Sequence, residues 1–203
     1  MAHEGLDDAY ARELLRRQGL LQAEAHQVIA ELDLLTLLSR AGQVEQVGSS
    51  VSGLMVWRDL DFNVLCRDLT PERAFDTMYP LLTHSGVTRL DYRNETGHRA
   101  PAVLRGDERY YFVTYYETAT GDEWKIDVSF WLSDVPRDQI PYIERLKEQL
   151  TDETRLSILW IKDVWRRLPS YPDEVGGFDV YEAVLHHGVR TPAQFETYLL
   201  RSA

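Results

Sequence analysis

The period of apolar positions along the chain changes twice. Over residues 6–18 and 20–41 the spacing of Leu14, Leu15, Leu21, Val28, Ile29, Leu32, Leu35 and Leu38 is helical and stops at Gly42, which predicts two helices. From Val44 the period falls to two. Residues 44–47 read as a short strand, and within Val47–Cys66 (VGSSVSGLMVWRDLDFNVLC) Leu60, Phe62 and Val64 alternate with Asp59, Asp61 and Asn63. Thr70-Pro71-Glu72 is a helix start, Thr as N-cap and Pro in the first turn, and that helix is expected to run to His84 before Gly86. Residues 87–93 read as a strand and 94–106 as a loop marked by Thr96-Gly97 and Pro101. Residues 109–117 and 123–132 read as a β-hairpin around Gly121. Near residue 135 the helical period returns, over 139–150, 152–168, 180–187 and 192–200. The pattern predicts a mixed α and β domain over 1–135, with helices at its N-terminus, and a helical domain over 136–203.

The alternation carries chemistry as well as structure. Side chains two apart on a strand share a face, so Asp59, Asp61 and Asn63 project together. Two carboxylates held that close repel unless a cation lies between them, and hard divalent ions such as Mg2+ prefer carboxylate oxygen. Upstream, Gly48-Ser49 follows the short strand as a tight turn whose backbone N–H groups can meet an anion, and Gly53 would let a phosphate approach closely. The bland alternative is a solvated strand face, the commoner meaning of an isolated Asp-x-Asp. A later stretch repeats the alternation. In EWKIDVSFWL (residues 123–132) Lys125, Asp127 and Ser129 share one face and Ile126, Val128 and Phe130 the other.

Composition narrows the setting. The formal charge of −11, from 33 acidic against 22 basic residues, disfavours long nucleic acid as the main partner and suits a cationic small molecule. No run of eighteen apolar residues and no apolar leader at the N-terminus point to a cytoplasmic chain without a membrane span. The single cysteine, Cys66, lies in the apolar strand and reads as a small buried hydrophobe, not a thiolate ligand.

Gly48-Ser49, then Gly53, then Asp59-Leu60-Asp61, then Asp127 on a later strand resembles the signature of the nucleotidyltransferases of the DNA polymerase beta superfamily. The resemblance covers roughly residues 44–132. It implies an α+β nucleotidyltransferase fold, a mixed sheet flanked by helices, and an enzyme that moves an NMP from an NTP such as ATP to an acceptor hydroxyl, releasing pyrophosphate. It implies Asp59, Asp61 and Asp127 as catalytic and metal-binding residues for two Mg2+ ions, with Gly48 and Ser49 on the β and γ phosphates. The stretch ILWIKDVW (residues 158–165) resembles the helix of poly(A)-polymerase-like and oligoadenylate-synthetase-like relatives whose lysine reaches the triphosphate, which assigns that role to Lys162. Snorkelling from a packed helix is its bland alternative. Tyr181, after Gly176-Gly177, offers an aromatic face on which a base can stack, or a packing ring for its helix.

Three functions compete. The first is transfer to a small, cationic acceptor, as in antibiotic nucleotidyltransferases. The second, a protein or tRNA acceptor, requires a local basic groove, for which Arg89, Arg93, Arg99, Arg105 and Arg109 are available. The third is a nucleotide-binding module without turnover, against which the three intact carboxylates count.

Overall fold

The computed structural model describes residues 5–104, 106–172 and 174–202. Arg105, one of the arginines proposed above for a basic groove, lies outside the described residues. Five strands, β1 (Gln43–Val47), β2 (Asp59–Leu65), β3 (Val87–Glu95), β4 (Arg109–Glu117) and β5 (Glu123–Trp131), form one sheet in the order β1-β2-β5-β4-β3. β2 and β5 run parallel, and the other neighbouring pairs antiparallel. The sheet is therefore mixed, flanked by helices, as the sequence led us to expect.

Period-two patterning sorts the two faces of this sheet. Leu60, Phe62, Val64, Phe112, Ile126, Val128 and Phe130 are all buried on one face. Helix α4 (Pro71–Leu82), capped by Thr70 through a bond from the Arg73 amide, supplies buried Ala74, Met78 and Leu81. Its Phe75 ring packs on Tyr92 at 4.7 Å and edge-on to Phe112 at 5.2 Å, which seats the helix on the apolar side of β3 and β4. Full burial of a side chain the size of Phe112 contributes about 1.5–3 kcal/mol, so this face is the core of the sheet. The charged residues of the same strands are left to the other face.

The β4–β5 hairpin turns through Thr118–Asp122, where the Gly121 amide donates to the Thr118 carbonyl and the Asp122 amide to the Thr118 hydroxyl. The expected hairpin is present. The N-terminal helices differ from expectation. Helix α1 (Asp8–Glu31) runs unbroken through Gly19, and the break falls at Asp33, in the left-handed region at φ 46°, before α2 (Leu34–Ser39). A glycine inside a helix costs only about 1 kcal/mol, which buried Leu14, Leu21, Ala25 and Val28 outweigh, whereas aspartate is among the few residues that tolerate the left-handed turn.

Beyond β5 the described chain is helical: α5 (Gln139–Gln149), α6 (Asp152–Trp165), α7 (Gly177–His186) and α8 (Pro192–Ser202). Helix α6 opens on Thr151, whose hydroxyl accepts from the Thr154 amide while the Thr154 hydroxyl accepts from the Thr151 amide. Its fully buried Asp163 takes a bond from Tyr10 at 2.5 Å and ion pairs from Arg17 at 3.0 Å, Arg166 at 3.1 Å and Arg167 at 3.0 Å. Burial alone would raise the Asp163 carboxyl, but the Tyr10 hydrogen bond and the Arg17 and Arg166 guanidiniums hold it below the usual carboxylate value. The chain forms two compact units. One holds the described residues through Gln22, Ser52–Trp57 and the chain from Glu144 onward; the other holds Ala23–Val51 and Arg58–Ile143, including the whole sheet. No helix among the described residues is long and apolar enough to cross a membrane.

Candidate active site

The polar face of the sheet can be laid out from the strand register. Asp59 stands opposite Lys125, which stands opposite Tyr115, which stands opposite Arg89. The next row is Val47, Asp61, Asp127, Val113 and Asp91, and the one after it Glu45, Asn63, Ser129, Tyr111 and Arg93. The parallel pairing of β2 with β5 is what sets Asp61 directly beside Asp127. With Asp59 one row away on the same strand, the three carboxylates offer ligand atoms that all lie within 4.8 Å of one another.

Gly48 closes the site on the β1 side. It has φ +75°, and a Cβ placed on it would fall 2.1 Å from Asp61 Oδ2. Only a residue without a side chain lets the Asp61 carboxylate rest against that turn. Ser49 then opens the one-turn helix α3 (Ser49–Ser52), half-buried, so the Gly-Ser turn and the carboxylates are neighbours within one compact unit.

Two further residues complete the cluster. Lys125 Nζ lies 2.6 Å from Asp127 Oδ2 and 3.6 Å from Asp59 Oδ1, and the Tyr111 hydroxyl donates to the same Asp127 Oδ2 at 2.8 Å. Burial works to lower the Lys125 ammonium, but the Asp59 and Asp127 carboxylates drive it well above the ordinary lysine value. The Tyr111 phenol is raised by burial and by the charge of Asp127. Both are therefore in their protonated forms at neutral pH, one charged and one neutral. The sequence placed Lys125 on the face of Asp127 but gave it no role, and Tyr111 was passed over. Lys-x-Asp on a strand was the available signal for the first. The second follows only from the hairpin register that sets Val113 opposite Asp127.

The donor set suits a hard divalent cation. Three carboxylates against one ammonium leave two negative charges, and Asp127 Oδ1 is buried without a hydrogen-bond partner among the described residues. An orphaned carboxylate oxygen of that kind is costly unless something positive meets it.

Lys162 and Tyr181 lie in the other compact unit, where they meet each other. Lys162 is 4% exposed, and its Nζ donates to the Leu54 carbonyl at 2.7 Å and to the Tyr181 hydroxyl at 3.2 Å. No carboxylate pairs with this buried ammonium among the described residues. Gly53, at φ +69°, has its carbonyl bonded by Arg155 at 2.8 Å, and a Cβ there would come within 3.0 Å of the same guanidinium. Its missing side chain makes room for Arg155.

No protein-family model and no curated protein matches the chain. Solved structures do. A structure of Cid1, described for its RNA terminal uridylyl transferase activity, superposes with a TM-score of 0.60 at 15% identity over 90% of this chain and 54% of that one. The chain has the nucleotidyltransferase fold. A Cid1 poly(U) polymerase variant bound to MgATP gives a TM-score of 0.59 at 15% identity over 90% of this chain and 56% of that one. The same enzyme with MgGTP gives 0.56 at 15% identity over 89% and 56%. The chain thus spans about half the length of the structures that it matches.

Proposed function

We propose that the chain is a Mg-dependent nucleotidyltransferase that moves an NMP from an NTP to an acceptor hydroxyl and releases pyrophosphate. The observation that carries this is Asp59, Asp61 and Asp127 converging beside a glycine whose absent Cβ leaves room for Asp61. When bound, two Mg2+ ions would activate the acceptor oxygen and neutralise charge on the donor phosphates. Asp59, Asp61 and Asp127 would hold the ions. Tyr111 fixes Asp127 through Oδ2 and leaves Oδ1 for that purpose. Gly48 and Ser49 would bind the β and γ phosphates. In the other unit the buried Lys162 ammonium meets neutral oxygens among the described residues, the Leu54 carbonyl and the Tyr181 hydroxyl.

For the acceptor we favour a small cationic molecule bearing a hydroxyl. A nucleic-acid acceptor would need a basic groove, and on β3 the residues of the polar face alternate in sign: Arg89, Asp91, Arg93, Glu95. Arg89 pairs with Asp91 at 3.2 Å and Arg109 with Glu95 at 2.6 Å. Such pairing offsets part of the positive charge along this edge strand and weakens the case for a phosphate chain. The test is label transfer from α-labelled NTPs to a panel of amino-sugar and polyamine-alcohol acceptors, with single-stranded RNA in parallel. Transfer to a small cation, absent in Asp127→Asn, supports the reading. Transfer to RNA alone would overturn the acceptor part of it.

A further inference from the structure

We propose that Lys125 is the resident counter-cation of the triad: its ammonium bridges Asp59 and Asp127 in the metal-free protein and must leave them before divalent ions bind. This rests on the metal-binding part of the function proposed above.

The geometry is specific to this lysine. In the parallel pair, Lys125 stands directly opposite Asp59 and two residues before Asp127, so one side chain reaches both carboxylates from the same face. Its Nζ lies 2.6 Å from Asp127 Oδ2 and 3.6 Å from Asp59 Oδ1, within a cluster whose ligand atoms lie no more than 4.8 Å apart. An ammonium so placed neutralises part of the charge that a divalent ion would otherwise meet. It also repels that ion across a few ångströms in a partly buried site, where such repulsion is weakly screened.

The lysine is equipped to move. Its side chain is 37% exposed against 14% for each aspartate, and the ammonium sits on a flexible four-carbon stem. Asp127 does not depend on it for orientation, because Tyr111 donates to the same Oδ2 at 2.8 Å. When the ammonium leaves, Asp127 keeps that bond. A charge released beside the metal site is then free to pair with an incoming anion, so metal binding and donor binding would be linked through one side chain.

The experiment is Mn2+ titration of the full chain, read from the resonance of free Mn2+ at fixed ionic strength, on wild type, Lys125→Met, Lys125→Gln and Asp61→Ala. Thermal unfolding is measured with and without the ion. Both lysine variants should bind Mn2+ about tenfold more tightly than wild type. Without the ion both should unfold at a lower temperature than wild type, and saturating Mn2+ should close that gap. Binding that is unchanged or weaker in both variants, with Asp61→Ala still abolishing it, overturns the role of Lys125 and leaves the metal site standing. Wild-type binding that Asp61→Ala does not reduce overturns the metal site and Lys125's role with it.

Discussion

Replacing Gly48 with alanine tests the geometry of the carboxylates without removing any of them. Two costs can be read from the structure. Alanine at φ +75° carries the left-handed penalty, about 1–2 kcal/mol. Its Cβ would also lie 2.1 Å from Asp61 Oδ2 and 2.9 Å from Asp61 Cγ, against a comfortable contact of about 3.5 Å. Asp61 is locked in register between Val47 and Asp127, so its backbone cannot retreat, and the carboxylate must rotate by roughly 1 Å or more. That takes one ligand away from the triad. Gly121→Ala is the internal control, because Gly121 has φ +83° with nothing within 4 Å of the added carbon. Strain alone should cost Gly121→Ala about 1–2 kcal/mol, whereas Gly48→Ala should lose about 2–3 kcal/mol, or ~4–12 °C in Tm. Mn2+ affinity should fall roughly 100-fold in Gly48→Ala and remain unchanged in Gly121→Ala. Equal metal binding in the two variants would refute the placement of Gly48 against Asp61.

Other consequences follow from buried groups. Asp163→Asn should destabilise the protein by about 3 kcal/mol in urea unfolding, because three guanidiniums lose their buried counter-charge. The wild-type Asp163 carboxyl lies below its unfolded value, so its contribution is fully present above about pH 4 and is lost as pH falls through the folded value. The acid limb of the stability profile should therefore be shallower in Asp163→Asn, and a profile with the wild-type slope would contradict this. Burial pushes the Cys66 thiol up to about 12, so a thiol reagent at pH 8 should label the protein only as fast as it unfolds. Prompt labelling of the native protein would show that the core around β2 opens.

Much of the site was legible because strand periodicity is simple. Alternation alone put Asp59 with Asp61 and Asp127 with Lys125, each on its own face. What alternation cannot give is which strands are neighbours. The family resemblance implied that the three carboxylates share a site, but their side-by-side placement comes from the parallel pairing of β2 with β5, which the sequence did not show. Gly48 was legible as a turn, but the reason for it, the approach of Asp61 Oδ2, is a tertiary contact. Gly53 was read as room for a phosphate, yet its space is taken by Arg155, 102 residues away in sequence. The arginines of β3 looked like a basic cluster in a linear reading. Asp91 and Glu95 alternate with them on the strand, Asp91 pairing with Arg89 and Glu95 with Arg109 of β4, which offsets part of that charge. Gly19 misled for the opposite reason, since burial along α1 outweighs one poor helix former.

The central claim is that the triad holds Mg2+ for an NTP donor, and titration calorimetry tests it most directly. Each of the four NTPs, or a non-hydrolysable analogue, is titrated with and without Mg2+ into wild type and Asp61→Ala. The account expects binding that requires Mg2+, favours one base and disappears in Asp61→Ala while the variant stays folded. Binding that is independent of Mg2+, or that survives in Asp61→Ala, would contradict it.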